Sequence, residues 1–595
     1  MLYSVLWLNK MARDMTNQQI VRNDNKTAFS TTNRLMATNT FLDQVFHAWL
    51  NQYIGVSSIA YQLSMFDWLM HLMVSPGTQL GLMQKFYENV FYWITSQYEC
   101  TDRRFKNDLW KEFPFNFYAE GFLQCEKFWR DAANVKGVTK HHQLMNQFML
   151  QQILNMMAPT NFVWSNPEVL SIAEQQKGAN FVKGFSNLLE DLSAAIYKSP
   201  IKNKDHKEEK FQVGKDIAIT PGKVIYRNNL IELIQYSPTT EQVYSTPILI
   251  VPACIMKYYI LDLSAHNSLV KYLVGEGHTV FMISWKNPSY IERNLVIDDY
   301  INLGVMSAID VISSVIPNTP INAVGYCIGG TLLAIAAAFM AGKSDNRLKS
   351  VTLFAAQVDF TYAGEILVFV DDSQISMLED VMSQKGYLEG KQMADSFAVV
   401  HSHDLIWGRL IRDYLIGERQ PLFDIMAWNA DSTRLPYKMH SEYLKEFFLN
   451  DSLIQGNFSV NGEGISLINI NVPIFAVGTV TDHVAPWKSV YKLNFFTKTD
   501  FTFLLTSGGH NVGIVSEPGH HGRSYQVMTK KKHDKCIAAD AWQKSAPFFE
   551  GSWWPEWQRW AAGFSETKVS PPSIGNKEKG YSILCDAPGV YVLQK

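Results

Sequence analysis

The chain of 595 residues is 47% apolar, 13% aromatic and 18% charged, with 35 Gly and 22 Pro. This is the composition of an aromatic-rich globular protein long enough to bury a large core, which excludes wholesale disorder and coiled coil. Lys and Arg number 53 against 56 Asp and Glu, a net charge of −3, so the basic surplus expected of a general nucleic-acid binder is missing.

In chain order, Met1 to Leu8 is apolar but has no basic stretch and no small-residue cleavage site, so no signal peptide is expected. From about Thr40 to Lys198, Leu, Met, Phe, Gln and Trp recur at helical spacing with few β-branched runs. Leu144 to Met157 carries the pattern clearly, and Pro159 stops it. Residues 202–216 (KNKDHKEEKFQVGKD) turn abruptly to charge and mark a linker. The expected division is a mainly helical region, 1–215, and a second domain, 216–595.

The six cysteines, Cys100, Cys125, Cys254, Cys327, Cys536 and Cys585, are scattered without a CxxC pair. That usage suits reduced thiols in a cytosolic protein and argues against a zinc cluster. No stretch reaches 18 uninterrupted apolar residues, so no transmembrane helix is expected. The most apolar window, Ile321 to Gly342, is broken by Gly325, Gly329 and Gly330.

Beyond the linker, short β-rich runs appear at 247–252, 278–285, 321–325, 351–355, 472–477 and 501–506. Helix-period segments lie between most of them, as at 267–277, 298–315, 331–341 and 487–496. Strands alternating with helices predict an α/β fold, a mostly parallel sheet with helices on both faces. One interval breaks the rhythm. Residues 360–470 form an insertion between two strands, the size of a cap or lid over a site.

The sharpest local signal is Gly325-Tyr326-Cys327-Ile328-Gly329-Gly330, set between a strand and a helix. This is the nucleophile elbow G-x-S-x-G with Cys in place of Ser. A strained turn lifts the nucleophile into the cleft, and small residues let strand and helix approach. The helix N-terminus favours a thiolate at Cys327 and offers the Ile328 N–H as an oxyanion donor. The bland alternative is a structural Cys in a Gly-rich turn.

A thiol needs a base, and the base an orienting acid. In the expected chain order, Asp482 follows the strand IFAVGT and His510 follows FTFLLT, both at carboxyl ends of strands. Asp359 is the competing acid, and a plain turn histidine is the alternative at 510. His483 reads as an exposed loop residue. The second oxyanion donor is expected from the loop after PILIVP, within Val251 to Cys254, with Val251 taken as the donor. Cys254 is either a second thiol or a small apolar residue packed beneath the elbow.

These residues and several further blocks resemble the class I polyhydroxyalkanoate synthases. PACIMKYYILDL (252–263), GHTVFMISWKNP (277–288), GYCIGG (325–330), SGGHNVGIV (507–515), GSWWPEW (551–557) and APGVYV (587–592) carry the likeness. DRRFKNDLW (102–110) and PTNFVWSNPE (159–168) extend it into the helical region. Ala253 stands where the family has a second Pro, and Met256 where it has Asn. The resemblance implies an α/β-hydrolase fold with a lid, and polymerisation of (R)-3-hydroxyacyl-CoA, such as 3-hydroxybutyryl-CoA, into polyester with release of CoA. It implies Cys327 as acyl carrier, His510 as base and Asp482 as orienting acid or assistant in hydroxyl deprotonation. It also implies a homodimer in the cytoplasm, at the surface of a polyester granule, with no cofactor and no metal. The rival functions are a Cys-triad hydrolase (thioesterase or depolymerase) and a non-catalytic granule protein.

The remaining features have duller readings. Trp553, Trp554, Trp557 and Trp560 fit core packing better than polymer contact. Lys530 to Lys532 fit a solvated loop. The pairs His141-His142 and His520-His521 lack metal-ligand spacing. The amphipathic helical region fits inter-domain packing as well as a partner or granule surface.

Overall fold

The computed structural model describes residues 58–95, 102–197, 211–390, 392–393, 396, 399, 402, 406–419 and 423–595. The expectations for Met1 to Leu8, for residues 40–57, for Cys100 and for linker residues 202–210 lie outside the described residues.

The first part is helical as its periodicity predicts: α1 (Ser58–Met73), α2 (Pro76–Thr95), α3 (Phe115–Ala132), α4 (Lys140–Met157), α5 (Pro167–Gln175) and α6 (Ala179–Tyr197). Helix α4 begins where the Thr139 hydroxyl accepts from the His142 N–H, and it ends at Ala158, just before Pro159. A proline there has no N–H to continue the ladder, and its ring blocks the preceding turn.

The second part is built on one sheet. Its strands are β1 (Gly222–Arg227), β2 (Ile231–Tyr236), β3 (Ile248–Val251), β4 (Val280–Trp285), β5 (Ile321–Tyr326) and β6 (Leu348–Phe354). They continue with β7 (Ile474–Thr479), β8 (Phe501–Thr506), β9 (Ser524–Lys530), β10 (Phe548–Glu550) and β11 (Cys585–Asp586). Their order is β10-β9-β8-β7-β6-β5-β3-β4-β2-β1-β11. The centre, β4 to β8, is parallel throughout, and both margins are antiparallel. Every residue of β4, β5, β7 and β8 is buried, because helices cover both faces. The helices α7 (Leu269–Gly275), α8 (Ser307–Val315) and α9 (Ile328–Gly342) fall where the helix period placed them, and the stretch 487–496 divides into two short helices.

The insertion runs between β6 and β7, which are neighbours in the sheet. It is largely helical and includes α10 (Asp372–Lys385) and α11 (Tyr437–Tyr443). It is also held from outside the sheet. On α6, the Asn180 amide donates to the Leu415 carbonyl at 2.7 Å and the Asn187 amide to the Asp413 carbonyl at 2.8 Å. The Tyr414 hydroxyl donates to Asp191 at 2.7 Å, and His141 of α4 meets Asp371 at 3.2 Å. Residues 56–595 accordingly form one compact unit. Among the described residues, no helix is long and apolar enough to cross a membrane.

Candidate active site

The elbow forms as its glycines predict. Strand β5 ends at Tyr326, α9 begins at Ile328, and Cys327 between them is held at φ 54° and ψ −130°. A non-glycine residue at positive φ is strained, and it persists because the surroundings over-determine it. The Cys327 N–H donates to the Phe354 carbonyl at 2.9 Å, and its own carbonyl accepts from Gly330 N–H at 2.8 Å. A side chain at Gly329 would run into the carbonyls of Val251 and Pro252, and one at Gly325 into Gly330. Strand, turn and helix thus meet at backbone contact, and half-buried Cys327 stands at the N-terminus of α9.

His510 and Asp482 converge from the ends of β8 and β7. His510 Nδ1 lies 2.8 Å from Asp482 Oδ2, and the Asp482 carboxylate is wholly buried. Its other oxygen accepts from the N–H groups of Val484 and Ala485 at 2.9 and 2.8 Å, and Thr479 donates to Oδ2 at 3.1 Å. The Cys327 side chain acts on the His510 ring as well, and with Nδ1 facing Asp482 the nitrogen left for it is Nε2. Burial opposes a charge on Asp482, but His510 and the two amides outweigh it and hold the carboxyl below the usual range. Burial likewise opposes an imidazolium, yet Asp482 and Cys327 push His510 well above the ordinary histidine value. The charged states therefore support each other across the site.

The competing acid is elsewhere engaged. Asp359 accepts from Lys492 Nζ at 2.7 Å and from the Thr361 N–H at 3.0 Å. Cys254 is a fully buried thiol whose burial, with Cys327 nearby, pushes its pKa up. It packs beneath the elbow as a neutral side chain. Val251 corrects the expectation made for it: it is in register with Gly325 inside the parallel ladder, where both its backbone groups face β5. Pro252 has no N–H, so the first amides beyond the strand belong to Ala253 and Cys254.

Three features escaped the sequence. Tyr443 comes from the insertion: burial raises its phenol pKa, and the charges at Cys327 and Cys254 add to that. Tyr326 donates to Asn511 at 2.6 Å, and its ring centroid lies 5.6 Å from that of His510. The indole N–H groups of Trp553 and Trp554 donate to the carbonyls of Gly513 and Ile514, both at 2.9 Å, fixing the turn that carries His510. With Trp557 these rings are buried in the core. The paired histidines do not gather: His142 binds Asp67, His141 binds Asp371 and His520 binds Glu517. Among the described residues, no group of three acidic, His or Cys side chains is placed to hold a metal ion.

Comparison with known proteins agrees with this geometry. Residues 101–273 match the family model of the poly-beta-hydroxybutyrate polymerase (PhaC) N-terminus, residues 37–78 match its N-terminal model, and residues 246–517 match the alpha/beta hydrolase fold. The chain is similar to the poly(3-hydroxyalkanoate) polymerase of Methylorubrum extorquens, 38% identical over 83% of this chain and 81% of that one. It is 37% identical to the polymerase subunit PhaC of Rhizobium meliloti, over 82% of this chain and 79% of that one. Against the subunit PhaC of Cupriavidus necator the identity is 32%, over 83% of each chain. With a central parallel sheet, a cysteine at its elbow and relatives matched over about four fifths of their length, the chain belongs to the poly(3-hydroxyalkanoate) polymerase family.

Proposed function

We propose that this chain polymerises (R)-3-hydroxyacyl-CoA thioesters, such as 3-hydroxybutyryl-CoA, into polyester with release of CoA, and that the acyl group is carried on Cys327. The observation that supports it most directly is the pair His510 and Asp482, hydrogen-bonded at 2.8 Å, beside Cys327 at an α/β-hydrolase elbow. His510 takes the thiol proton, and Asp482 stabilises the resulting imidazolium and fixes which ring nitrogen faces the sulfur. The sulfur attacks the thioester carbonyl, the C–S bond to CoA breaks, and CoA leaves with the proton from His510. Exchange of one thioester for another is close to isoenergetic, which suits a carrier that must hand its cargo on.

The second half-reaction needs an alcohol rather than water. His510 removes the proton of a 3-hydroxyl, whose oxygen attacks the acyl carbonyl; the new ester forms as the bond to Cys327 breaks. The Ile328 N–H and an amide of Ala253 or Cys254 are the proposed oxyanion donors. The insertion 360–470, whose Tyr443 feels the charge at Cys327, is the proposed lid that keeps the site dry. In this reading residues 216–595 carry the chemistry. The helical region 1–215 offers the granule contact, which its exposed apolar side chains, among them Phe66, Phe91 and Val182, support. A cytoplasmic homodimer on the granule surface completes the reading. The test supplies hydroxybutyryl-CoA and isolates the product: CoA release with insoluble polyester is expected, whereas free hydroxy acid means a hydrolase.

A further inference from the structure

The loop 252–257 connects β3 to the helical turn Tyr258–Asp262, and it lies against the elbow through the carbonyl of Pro252. It has no ladder of its own beyond a single bridge from Met256 to Ser432. Its shape is imposed from outside. The Trp285 indole donates to the Pro252 carbonyl at 2.9 Å, the Thr433 hydroxyl to the Cys254 carbonyl at 2.8 Å, and the Trp428 indole to the Lys257 carbonyl at 2.7 Å.

The last hold is a buried ammonium. Lys257 is 3% exposed and donates from Nζ to the Gln594 carbonyl at 2.7 Å. Gln594 is itself gripped, its Oε1 accepting from the Asn287 N–H at 3.0 Å, while the Asn287 Oδ1 accepts from the Arg434 N–H at 3.0 Å. Lys595 pairs with Asp431 at 2.9 Å, and the N–H groups of Val590 and Tyr591 both reach Glu232 at 2.9 Å. Segment 590–595 is thereby strapped across the loop. Burial lowers the Lys257 pKa to about 8 even though the Asp431 carboxylate works against that, so the ammonium is costly there, and a methionine would fill the same space without that cost. A lysine there is explained if the link it makes matters more than the stability it forfeits.

We propose that Lys257 is a positioning residue of the polymerisation reaction: by tying segment 590–595 to the loop 252–257, it holds the Ala253 and Cys254 amides in place beside Cys327. The proposal rests on the acyl-cysteine reading above. It touches the substrate only through the loop, so its loss weakens transition-state binding and leaves ground-state binding of the CoA ester alone.

The experiment is a cycle in the full chain with Lys257→Met, a chain ended at Leu593, and the two combined. Each single variant is expected to lower kcat about tenfold to a hundredfold, the scale of a slightly misplaced group, with KM for hydroxybutyryl-CoA little changed. Combined, they are expected to lose no more than either alone, because both cut the same link. Should Lys257→Met not fold, Asn287→Ala replaces it, since it removes the side-chain amide that reaches the Gln594 carbonyl at 3.4 Å and accepts from the Arg434 N–H. Losses that multiply, a rise in KM at constant kcat, or wild-type kcat in the single variants would overturn the proposal. Mass analysis of the Cys327 peptide separates the two readings. No acyl adduct in the wild type sinks the acyl-cysteine reading itself, while an adduct forming equally fast in wild type and Lys257→Met sinks only the role of Lys257.

Discussion

The indole N–H of Trp553 donates to the carbonyl of Gly513 at 2.9 Å, three residues beyond His510, from a ring with no exposed surface. The turn that carries His510 is therefore held by the core through a named donor as well as by its own bond from the Gly513 N–H to the Gly509 carbonyl at 2.7 Å. Trp553→Phe keeps most of the packing and removes that donor. The expected result is a loss of about 1 kcal/mol in stability and a lower kcat with KM unchanged. Chemical denaturation beside steady-state kinetics checks it; a fall in stability with wild-type kcat would show that the turn holds without the indole.

Incubated with an acyl-CoA analogue that lacks the 3-hydroxyl, the protein is expected to carry its adduct on Cys327 and none on Cys254. Burial keeps the Cys254 thiol protonated, and only the thiolate attacks. Cys327→Ser is expected to lower turnover by about three orders of magnitude or more, as loss of a nucleophile does elsewhere. Peptide mapping by mass decides the first point, and an adduct confined to Cys254 would reverse the assignment.

Two carboxylates are to be compared. His510→Gln is expected to stop acylation and elongation together. Asp482→Asn is expected to depress elongation most, leave acylation partly intact, and bring the His510 pKa down, since Asp482 raises it. Asp359→Asn is expected to keep near wild-type kcat, because its carboxylate serves Lys492. Imidazole NMR titration and single-turnover acylation test these outcomes. Wild-type chemistry in Asp482→Asn would remove it from the site.

His278 and His440 are buried, and burial pulls each from the ordinary value of 6.5 to about 4. Between those two values the unfolded chain binds protons that the folded chain does not, so stability falls as pH falls. Each histidine contributes about 1.4 kcal/mol per pH unit within that window. The urea midpoint is expected to drop between about pH 7 and about pH 5. His278→Phe and His440→Phe should each show a smaller drop. An unchanged drop in both variants would mean that other groups carry the acid sensitivity.

The insertion is expected to move in part. Residues 411–416 are tied to α6 by Asn180, Asn187 and Asp191. Hydrogen exchange there should stay the same with and without a non-reactive CoA-ester analogue. Helix α10 is expected to gain protection when the analogue binds. Protection of α10 equal to that of β5 in both states would mean that no lid opens there.

What the sequence by itself determined is what depends on local chemistry. The fully buried strands β4, β5, β7 and β8 are apolar-rich runs interrupted only by single residues such as Ser284, Asn322 and Thr502, so they are visible without any partner. The elbow is legible because only small residues allow strand and helix to meet around Cys327, and Asp482 and His510 because each follows such a strand directly. The edges were less visible: β9 reads SYQVMTK with no clean alternation, and β11 is only two residues long. What only the tertiary structure decided concerns residues far apart in the chain. Lys492 removes Asp359 from the site from 133 residues away, and Lys257 meets Gln594 across 337. Tyr443 of the insertion feels the charge at Cys327, and the register with Gly325 commits the Val251 backbone to the sheet. Hydrophobic period and turn chemistry act over a few residues, whereas ion pairs, strand register and buried hydrogen bonds are settled only when distant segments pack.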